Sequence, residues 1–223
     1  MGTLFIVATP IGNLEDLTFR ALRTLKEASF VLCEDTRVTK KLLNHYGVAT
    51  PALSYHQHSN QRTSEYVFEL LSEGKDLALV TDAGTPGVSD PGNELIDFLL
   101  ERKPSLNIVP IPGASAVSTI ASVAGLPMDK FLFLGYPPHK KGRKKFFEEV
   151  AQASHPVIFY ESPYRVMKSL AEVKGLMPQA NVVVGRELTK KFETTYRGAI
   201  DQVLEMVQKD KVKGEFVVIV SKP

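Results

Sequence analysis

The chain has 223 residues, with 27 lysines and arginines, 25 aspartates and glutamates, and a formal net charge of +2 at pH 7. Its 43% hydrophobic and 23% charged content excludes an intrinsically disordered chain, and its length suits one large or two small domains. The net charge is too small to indicate a nucleic-acid partner by itself, and no stretch has the features of a membrane span or a secretory leader, so we expect a cytoplasmic protein.

In the first half of the chain, apolar strand-like runs alternate with amphipathic helical patterns. The first run leads into Pro10 and Gly12, which interrupt regular structure, and Thr18 then provides a helix start. Strands are predicted around residues 3–9, 30–33, 76–81 and 107–111, and helices around 19–28, 39–46, 64–74 and 93–102. This alternation predicts a mainly parallel sheet with helices on its faces.

The composition changes after residues 110–127, which indicates a domain junction near residues 113–130. Residues 130–145 join an aromatic strand to a Pro-Pro pair and then to a basic stretch. Strands are then predicted around residues 156–162, 181–188, 194–198 and 214–220, and helices around 164–175 and 199–208. Consecutive strands lie closer together here, so some antiparallel pairing is expected. We therefore predict two α/β domains, residues 1–115 and 116–223.

Residues 80–92, VTDAGTPGVSDPG, give the strongest local indication of a binding site. A buried strand ends there, and glycines then let the backbone approach a ligand closely because no Cβ stands in the way. Carboxylates and hydroxyls come from Asp82, Thr85, Ser89 and Asp90. The pattern is typical of a loop that holds a polar small molecule through backbone groups, although an elaborate capped turn is the alternative.

Two further strand ends carry polar residues. Residues 112–113 turn the chain, and Ser115 opens a helix whose free N–H groups can bind a phosphate or carboxylate. Neither a P-loop nor a dinucleotide-binding glycine pattern is present, and an ordinary capped helix is the alternative. Glu34, Asp35 and Arg37 follow the second strand, where Asp35 either caps the next helix or takes part in function.

Residues 139–145, HKKGRKK, form the basic stretch, which is the only dense run of charge. Aromatic residues on both sides place stacking surfaces next to cations that can bind phosphates. An exposed helix start or linker is the alternative. The predicted RNA contacts in this stretch are Lys140, Lys141, Arg143, Lys144 and Lys145.

The sequence does not indicate a metal site or a covalent nucleophile. His56 and His58 lie on one side of an extended segment, but no Cys or carboxylate cluster completes a ligand set, so two polar edge residues are expected. The lone Cys33 excludes an internal disulfide, has no evident His partner, and is expected to be a small buried hydrophobic side chain. The class of reaction that remains is a group transfer that uses no metal ion.

Seven motifs, taken in order, resemble those of the tetrapyrrole methylase family. They are ATPIGNLEDLT, EDTR, TDAGTPGVSDPG, PGASA, FYESPYR, GRELTK and KGEF. The resemblance covers essentially the whole chain and is to the branch that methylates small-subunit ribosomal RNA. It implies two α/β domains of the class III methyltransferase type, S-adenosylmethionine in the cleft between them, and a homodimer. The implied substrate is the ribose 2′-hydroxyl of a decoding-centre cytidine in 16S rRNA within the small ribosomal subunit.

The resemblance also assigns cofactor contacts to loops of both domains. The implied set is Pro10, Asp82, Gly84, Thr85, Val88, Ser115, Ala116, Tyr160, Glu161, Arg186, Glu187, Leu188, Gly214 and Glu215. Pro10 belongs to ATPIGN, which replaces the GxGPGD loop usual in tetrapyrrole-modifying relatives. That replacement argues against a porphyrinoid substrate.

Methyl transfer from a sulfonium is an in-line displacement, in which alignment of donor and acceptor supplies much of the acceleration. Since the sulfur loses its positive charge, we expect backbone groups around it and charged residues farther out. The candidate bases for the ribose proton are Glu34, Asp35 and Glu187. The cations expected to position phosphates or these carboxylates are Arg37, Arg186 and Lys190. Arg37 is also counted with the catalytic residues.

Two other functions stay open from the sequence. A tetrapyrrole C-methyltransferase would act on a small macrocycle and ignore ribosomal RNA, and a non-catalytic RNA-binding module would keep the scaffold without using the cofactor. Members of the rRNA branch often continue into a small C-terminal domain beyond the last strand, whereas this sequence stops at Pro223. We therefore expect RNA docking to rely on the two domains and the dimer.

Overall fold

The computed structural model describes residues 1–56 and 61–223, and the chain divides into two compact units. The N-terminal unit is Met1–Ser115, and the C-terminal unit is Ala116–Pro223. Each unit contains a five-stranded sheet with its own order of strands.

The sheet of the N-terminal unit is entirely parallel, in the order β3-β2-β4-β1-β5. Its strands are β1 (Leu4–Val7), β2 (Phe30–Cys33), β3 (Ala52–Ser54), β4 (Leu77–Leu79) and β5 (Ile108–Ile111). Its helices are α1 (Phe19–Glu27), α2 (Thr36–His45), α3 (Gln61–Ser72) and α4 (Asn93–Arg102), with a 3₁₀ turn at Leu14–Asp16. The predicted parallel sheet is confirmed, and the short strand β3 was not predicted.

Apolar runs and capping residues explain these elements. The strands are nearly continuous apolar segments because helices cover both faces of a parallel sheet. Thr18 caps α1, since its hydroxyl accepts a hydrogen bond from the Ala21 N–H at 3.0 Å. Cys33 is fully buried, as predicted, and burial raises the pKa of its thiol.

The sheet of the C-terminal unit is mixed, in the order β6-β7-β10-β8-β9. Its strands are β6 (Leu132–Phe133), β7 (Val157–Glu161), β8 (Asn181–Arg186), β9 (Thr194–Ala199) and β10 (Phe216–Ser221). Its helices are α5 (Ala116–Ser122), α6 (Arg143–Gln152), α7 (Val166–Leu176) and α8 (Ile200–Lys209). β10 runs antiparallel to β7 and β8, β9 is antiparallel to β8, and β6 is parallel to β7. The predicted antiparallel pairing is therefore confirmed.

Helix α6 was not predicted from the sequence. Phe146, Phe147 and Val150 recur at helical spacing and are buried. The two phenylalanine rings pack edge-on against Phe159 of β7, with centroids 5.8 and 6.0 Å apart. The second half of the basic stretch is thus the first turn of a helix that packs on the core.

No helix in residues 1–56 and 61–223 combines the length and the apolar character that a membrane crossing requires.

Candidate functional site

Four parallel strands bring the predicted loops of the N-terminal unit to one edge of its sheet. We call this the carboxyl edge, and it comprises residues 8–13, 34–37, 81–92 and 112–115. These segments follow β1, β2, β4 and β5, whose carboxyl ends point the same way because the strands are parallel. In open α/β sheets, ligands bind outside the carboxyl ends of the strands.

Backbone hydrogen bonds join the first loop to the glycine-rich loop. The Thr9 N–H donates to the Gly84 carbonyl at 2.9 Å, and the Gly84 N–H donates back to the Thr9 carbonyl at 3.1 Å. Gly84 has a φ of +83°, and a Cβ there would lie 3.4 Å from Ile11 Cγ2 and 3.8 Å from the Ala114 carbonyl oxygen. Gly84 therefore permits a left-handed backbone conformation that other residues would strain, although a Cβ would make only ordinary contacts there.

Side chains join the remaining loops of the carboxyl edge. Asp82 Oδ1 accepts a hydrogen bond from the Asp35 N–H at 3.2 Å, which connects the loops after β4 and β2. The Thr85 hydroxyl donates to the Ala114 carbonyl at 3.2 Å, which connects the loops after β4 and β5. Residues far apart in sequence thus form one hydrogen-bonded surface.

Three carboxylates lie near one another on this surface. The pKa of Asp90 is raised to about 6, first by burial and then by the charges of Glu34 and Asp82. The ion pairs found in the described part of the N-terminal unit involve other carboxylates. Asp90 was predicted as a polar group of the glycine-rich loop but not as a cofactor contact, and its nearness to Glu34 depends on β2 lying beside β4.

Asp35 combines a cap and an ion pair. Its Oδ1 accepts from the Arg37 N–H at 2.8 Å, so Asp35 caps α2, which is one of the two roles expected for it. The Arg37 guanidinium also contacts Asp35 Oδ2 at 2.6 Å. Hydrogen bonds from Arg37 hold the pKa of Asp35 at about 2. A carboxylate with so low a pKa is a weak proton acceptor.

The predicted residues of the C-terminal unit also lie at one edge of their sheet. Phe216, at the start of β10, pairs with Glu161 at the end of β7 and with Arg186 at the end of β8. We call this the β7–β8 edge, and it comprises residues 134–145, 160–165, 186–193 and 210–215. Since β6 is parallel to β7, the basic stretch also follows this edge.

Glu187 is held in a left-handed backbone conformation, with a φ of +49°. Its Oε1 accepts from the Glu215 N–H at 2.9 Å and from Lys190 Nζ at 3.0 Å. A Cβ at Gly214 would lie 2.4 Å from the Glu187 carboxyl carbon, so the contact requires glycine there. Burial opposes the charged form, but the Glu215 N–H and Lys190 together hold the pKa of Glu187 below its usual range.

Arg186 is buried and bound within its own unit. Its Nη1 donates to Asp210 Oδ2 and its Nε to the Lys213 carbonyl, both at 2.9 Å. The Tyr196 hydroxyl also donates to Asp210 Oδ2. Sequence reasoning missed Asp210 and Tyr196, because only the folding of β8 against β9 and the end of α8 brings them to Arg186.

Glu161 and Arg143 form a buried network that corrects one prediction. The side chains of Glu161 and Arg143 are 0% and 6% exposed. Arg143 Nη2 lies 2.7 Å from Glu172 Oε2 and donates to the Ser169 hydroxyl at 2.8 Å. Arg143 was predicted to contact RNA, but its guanidinium is committed inside the C-terminal unit. The exposed cations of the basic stretch are Lys140, Lys141, Lys144 and Lys145.

The other predicted positions vary in exposure. Val88 is 38% exposed, whereas Leu188 and Pro10 are buried. Tyr160 is half-buried and packs edge-on against Phe133, with ring centroids 5.0 Å apart. Ser115 and Ala116 stand where the N-terminal unit ends and α5 begins.

No group of three or more His, Cys, Asp or Glu side chains suited to a metal ion is found in the described residues. His58, one of the two histidines considered for a metal, lies outside them.

The comparisons with known proteins identify the family. Residues 3–204 match the family described as "Tetrapyrrole (Corrin/Porphyrin) Methylases". A cobalt precorrin-4 methyltransferase has a similar fold, with a TM-score of 0.70, 17% identity, and coverage of 98% of this chain and 94% of that one. A diphthine synthase gives a TM-score of 0.74 at 14% identity, covering 99% and 90% of the two chains. The chain belongs to the tetrapyrrole methylase family and is an S-adenosylmethionine-dependent methyltransferase.

Within this family, the similar curated proteins share one name. A protein of Halalkalibacterium halodurans named "Ribosomal RNA small subunit methyltransferase I" is 45% identical over 220 residues, or 98% of this chain and 75% of that protein. The protein of the same name from Bacillus subtilis is 41% identical over 221 residues, covering 99% and 75% of the two chains. The Thermotoga maritima protein is 38% identical over 221 residues, covering 99% of both.

Proposed function

We propose that this protein methylates the ribose 2′-hydroxyl of a cytidine in the decoding centre of 16S rRNA, acting on the small ribosomal subunit as a cytoplasmic homodimer. The observation that carries the proposal is the 38–45% identity, over nearly the whole chain, to proteins named ribosomal RNA small subunit methyltransferase I. The carboxyl edge supports it, because it offers many backbone and hydroxyl groups for a polar cofactor.

The carboxyl edge suits S-adenosylmethionine. The cofactor supplies a methyl group on a positively charged sulfur, which loses its charge on transfer. Gly84 has no Cβ that would keep a ligand from its backbone groups, and the carboxylates of Glu34, Asp82 and Asp90 lie on the same surface. We propose that the cofactor is held by Pro10, Asp82, Gly84, Thr85, Val88, Ser115, Ala116, Tyr160, Glu161, Arg186, Glu187, Leu188, Gly214 and Glu215.

The C-terminal contributors differ in how they would act. The side chains of Glu161 and Arg186 are already bound within their unit. We therefore infer that these two positions contribute main-chain groups or shape, whereas their side chains keep the strand ends in place. Leu188 is buried and would contribute an apolar surface.

Among the candidate bases, Glu34 fits best. The Asp35 carboxylate is occupied by Arg37 and has a pKa of about 2, and Glu187 accepts hydrogen bonds from Glu215 and Lys190. Glu34 is exposed, on the same surface as Asp82 and Asp90. An exposed carboxylate can reach a ribose hydroxyl and accept its proton as the methyl group is transferred.

The exposed lysines of the basic stretch would bind RNA phosphates. Lys140, Lys141, Lys144 and Lys145 are exposed after β6 and at the start of α6. Phosphate contacts of this kind release counterions, so the affinity should fall steeply with salt. Arg37 is exposed and Lys190 is partly exposed, and we propose that they assist.

Transfer of a labelled methyl group tests the proposal. Purified protein with labelled S-adenosylmethionine should transfer label to 30S subunits and leave a porphyrinoid macrocycle unlabelled. Label on the macrocycle alone would replace the proposal with tetrapyrrole methylation. No heat of cofactor binding in calorimetry, together with no transfer to either substrate, would indicate a non-catalytic RNA-binding module on the same scaffold.

A further inference from the structure

We propose that Arg143 and Arg165 are positioning residues for RNA binding. With Glu161, they fix the conformation of the clamp loop, residues 135–142, so that its exposed lysines meet RNA phosphates in a preset arrangement. This inference rests on the proposed ribosomal RNA substrate. It gives a role to buried charges that do not themselves touch RNA.

Glu161 is the fixed point of this arrangement. It ends β7, where strand pairing with Phe216 holds its backbone, and its side chain is 0% exposed. Its Oε1 lies 3.0 Å from Arg165 Nη2, and its Oε2 lies 3.7 Å from Arg143 Nη1. The Ser169 hydroxyl also donates to Oε2. One buried carboxylate therefore orients two guanidinium groups.

Both guanidinium groups reach the clamp loop. Arg165 Nη1 donates to the Pro137 carbonyl at 3.2 Å, and Arg143 Nη1 donates to the Pro138 carbonyl at 3.3 Å. Proline has no N–H, so the carbonyl is its only backbone hydrogen-bonding group. The planar, five-donor guanidinium can bind a carboxylate and a carbonyl at the same time in a fixed geometry, which a lysine ammonium does less well.

The ends of the clamp loop are also held. The Gly135 carbonyl accepts from the Tyr160 N–H at 2.9 Å, and the Tyr136 ring packs 5.3 Å from the Tyr160 ring. At the other end, the Arg143 N–H donates to the Lys140 carbonyl at 3.2 Å. The exposed Lys140 thus extends from a loop whose backbone is fixed on both sides.

Positioning and contact have different signatures in binding experiments. A lysine that touches a phosphate contributes to the slope of log K against log salt, because binding releases a counterion. A residue that only fixes the loop contributes by lowering the cost of ordering it on binding. Loosening the loop should therefore weaken binding without changing the slope.

The test measures binding of the full chain to 16S rRNA at several KCl concentrations, with S-adenosylmethionine affinity and melting measured alongside. Arg165→Met should weaken RNA binding about tenfold without changing the salt slope. The loop is then less ordered before binding, so binding has to order about two more side chains. Arg165→Lys should restore part of the affinity.

Two double variants show how the salt slope responds when lysines are removed inside and outside the basic stretch. Lys140→Ala with Lys141→Ala should lower the slope by about 1 to 2. Lys174→Ala with Lys222→Ala makes the same change in charge at the end of α7 and after β10, away from the β7–β8 edge, and should affect the slope less.

Pro138→Gly is a second variant that tests the positioning role, because it makes the clamp loop more flexible without removing an ion pair. It should also weaken RNA binding at an unchanged slope, and it serves if Arg165→Met does not fold. The inference is overturned if folded Arg165→Met and Pro138→Gly bind RNA as the wild type does, or lose slope as the double lysine variant does. Failure of the wild-type chain to bind 16S rRNA or methylate 30S subunits would instead refute the proposed function.

Discussion

The carboxyl edge and the β7–β8 edge differ in how their charges are used. Both place acidic and basic residues directly after strands. At the carboxyl edge, the loops are joined mainly through backbone groups, and Asp90 lies near two other carboxylates. At the β7–β8 edge, Glu161 and Arg186 are buried in networks with side chains of the same unit. A charged residue after a strand can therefore either stay available at the surface or be buried as part of the fold.

The difference comes from what covers each edge. In the C-terminal unit, α6 and α7 supply Arg143, Ser169 and Glu172 to the buried network around Glu161. In the N-terminal unit, glycine- and proline-rich loops follow the strands and supply few cations. The carboxyl edge thus keeps polar groups available, whereas the β7–β8 edge buries the charges at the ends of β7 and β8 in ion pairs.

The largest expected effect is on the stability of the β7–β8 edge. Glu161→Ala leaves the buried Arg143 and the partly buried Arg165 with fewer partners and should lower the free energy of unfolding by about 3 kcal/mol. Glu34→Ala, at the exposed carboxyl edge, should change it by less than about 0.5 kcal/mol. Urea unfolding of both variants measures this contrast. Equal shifts of the two midpoints would remove the distinction between the edges.

A pair of glycines tests whether the carboxyl edge holds the cofactor. Gly84 and Gly47 have φ values of +83° and +62°, but a Cβ at Gly47 has no neighbour within 4 Å. Both alanine variants should lose roughly 1–2 kcal/mol of stability from backbone strain. Only Gly84→Ala should weaken S-adenosylmethionine binding, by about tenfold. Calorimetry on the two folded variants measures this, and equal affinities would argue against a cofactor site at Gly84.

Asp90 gives the carboxyl edge its own pH dependence. The pKa of Asp90 in the folded state, about 6, lies above its value in the unfolded chain. The folded state therefore binds more protons between about pH 4 and 6, and the free energy of unfolding falls as the pH rises through that range. The full shift corresponds to roughly 3 kcal/mol, which we reduce to about 1 kcal/mol because the half-buried carboxylate is partly screened. Asp90→Asn should therefore gain stability relative to the wild type between pH 4 and 7. A pH-independent difference in unfolding free energy would contradict this.

The smallest expected effect concerns Lys190 at the β7–β8 edge. Its ion pairs with Glu187 and Glu215 are partly exposed, so Lys190→Met should cost about 0.5 kcal/mol at pH 7. The pKa of Glu187 is lowered in the fold, so its contribution is present above the unfolded value of about 4.3 and is lost as the pH falls through the folded value. Unfolding measured from pH 7 downward should show the difference at pH 7 and its decrease as the pH falls below about 4.3. A difference that persists in acid would assign it to packing.

Most of the fold could be predicted because its elements have strong local patterns. Apolar strands, helical spacing and the Thr18 cap led to a parallel sheet in the N-terminal unit and antiparallel pairing in the C-terminal unit. The three-residue strand β3 has too little pattern to detect. Helix α6 was missed because residues 139–147 were interpreted by their charge, although Phe146, Phe147 and Val150 carried a helical signal.

The roles of individual charges were harder to predict. Arg143 lies among lysines in the sequence, but its partners Glu161, Ser169 and Glu172 lie 18 to 29 residues away and reach it only in the folded unit. The cluster around Asp90 likewise depends on β2 lying beside β4. Spacing in one sequence does not specify such contacts, because burial and long-range pairing decide them.

Identification of the methylated nucleoside tests the central claim most directly. The protein is incubated with 30S subunits and S-adenosylmethionine that carries a labelled methyl group, and the 16S rRNA is then digested to nucleosides and separated. The account predicts label in 2′-O-methylcytidine from the decoding centre, with much less label for Gly84→Ala than for Gly47→Ala. Label on a base, or on no nucleoside of 16S rRNA, would contradict it.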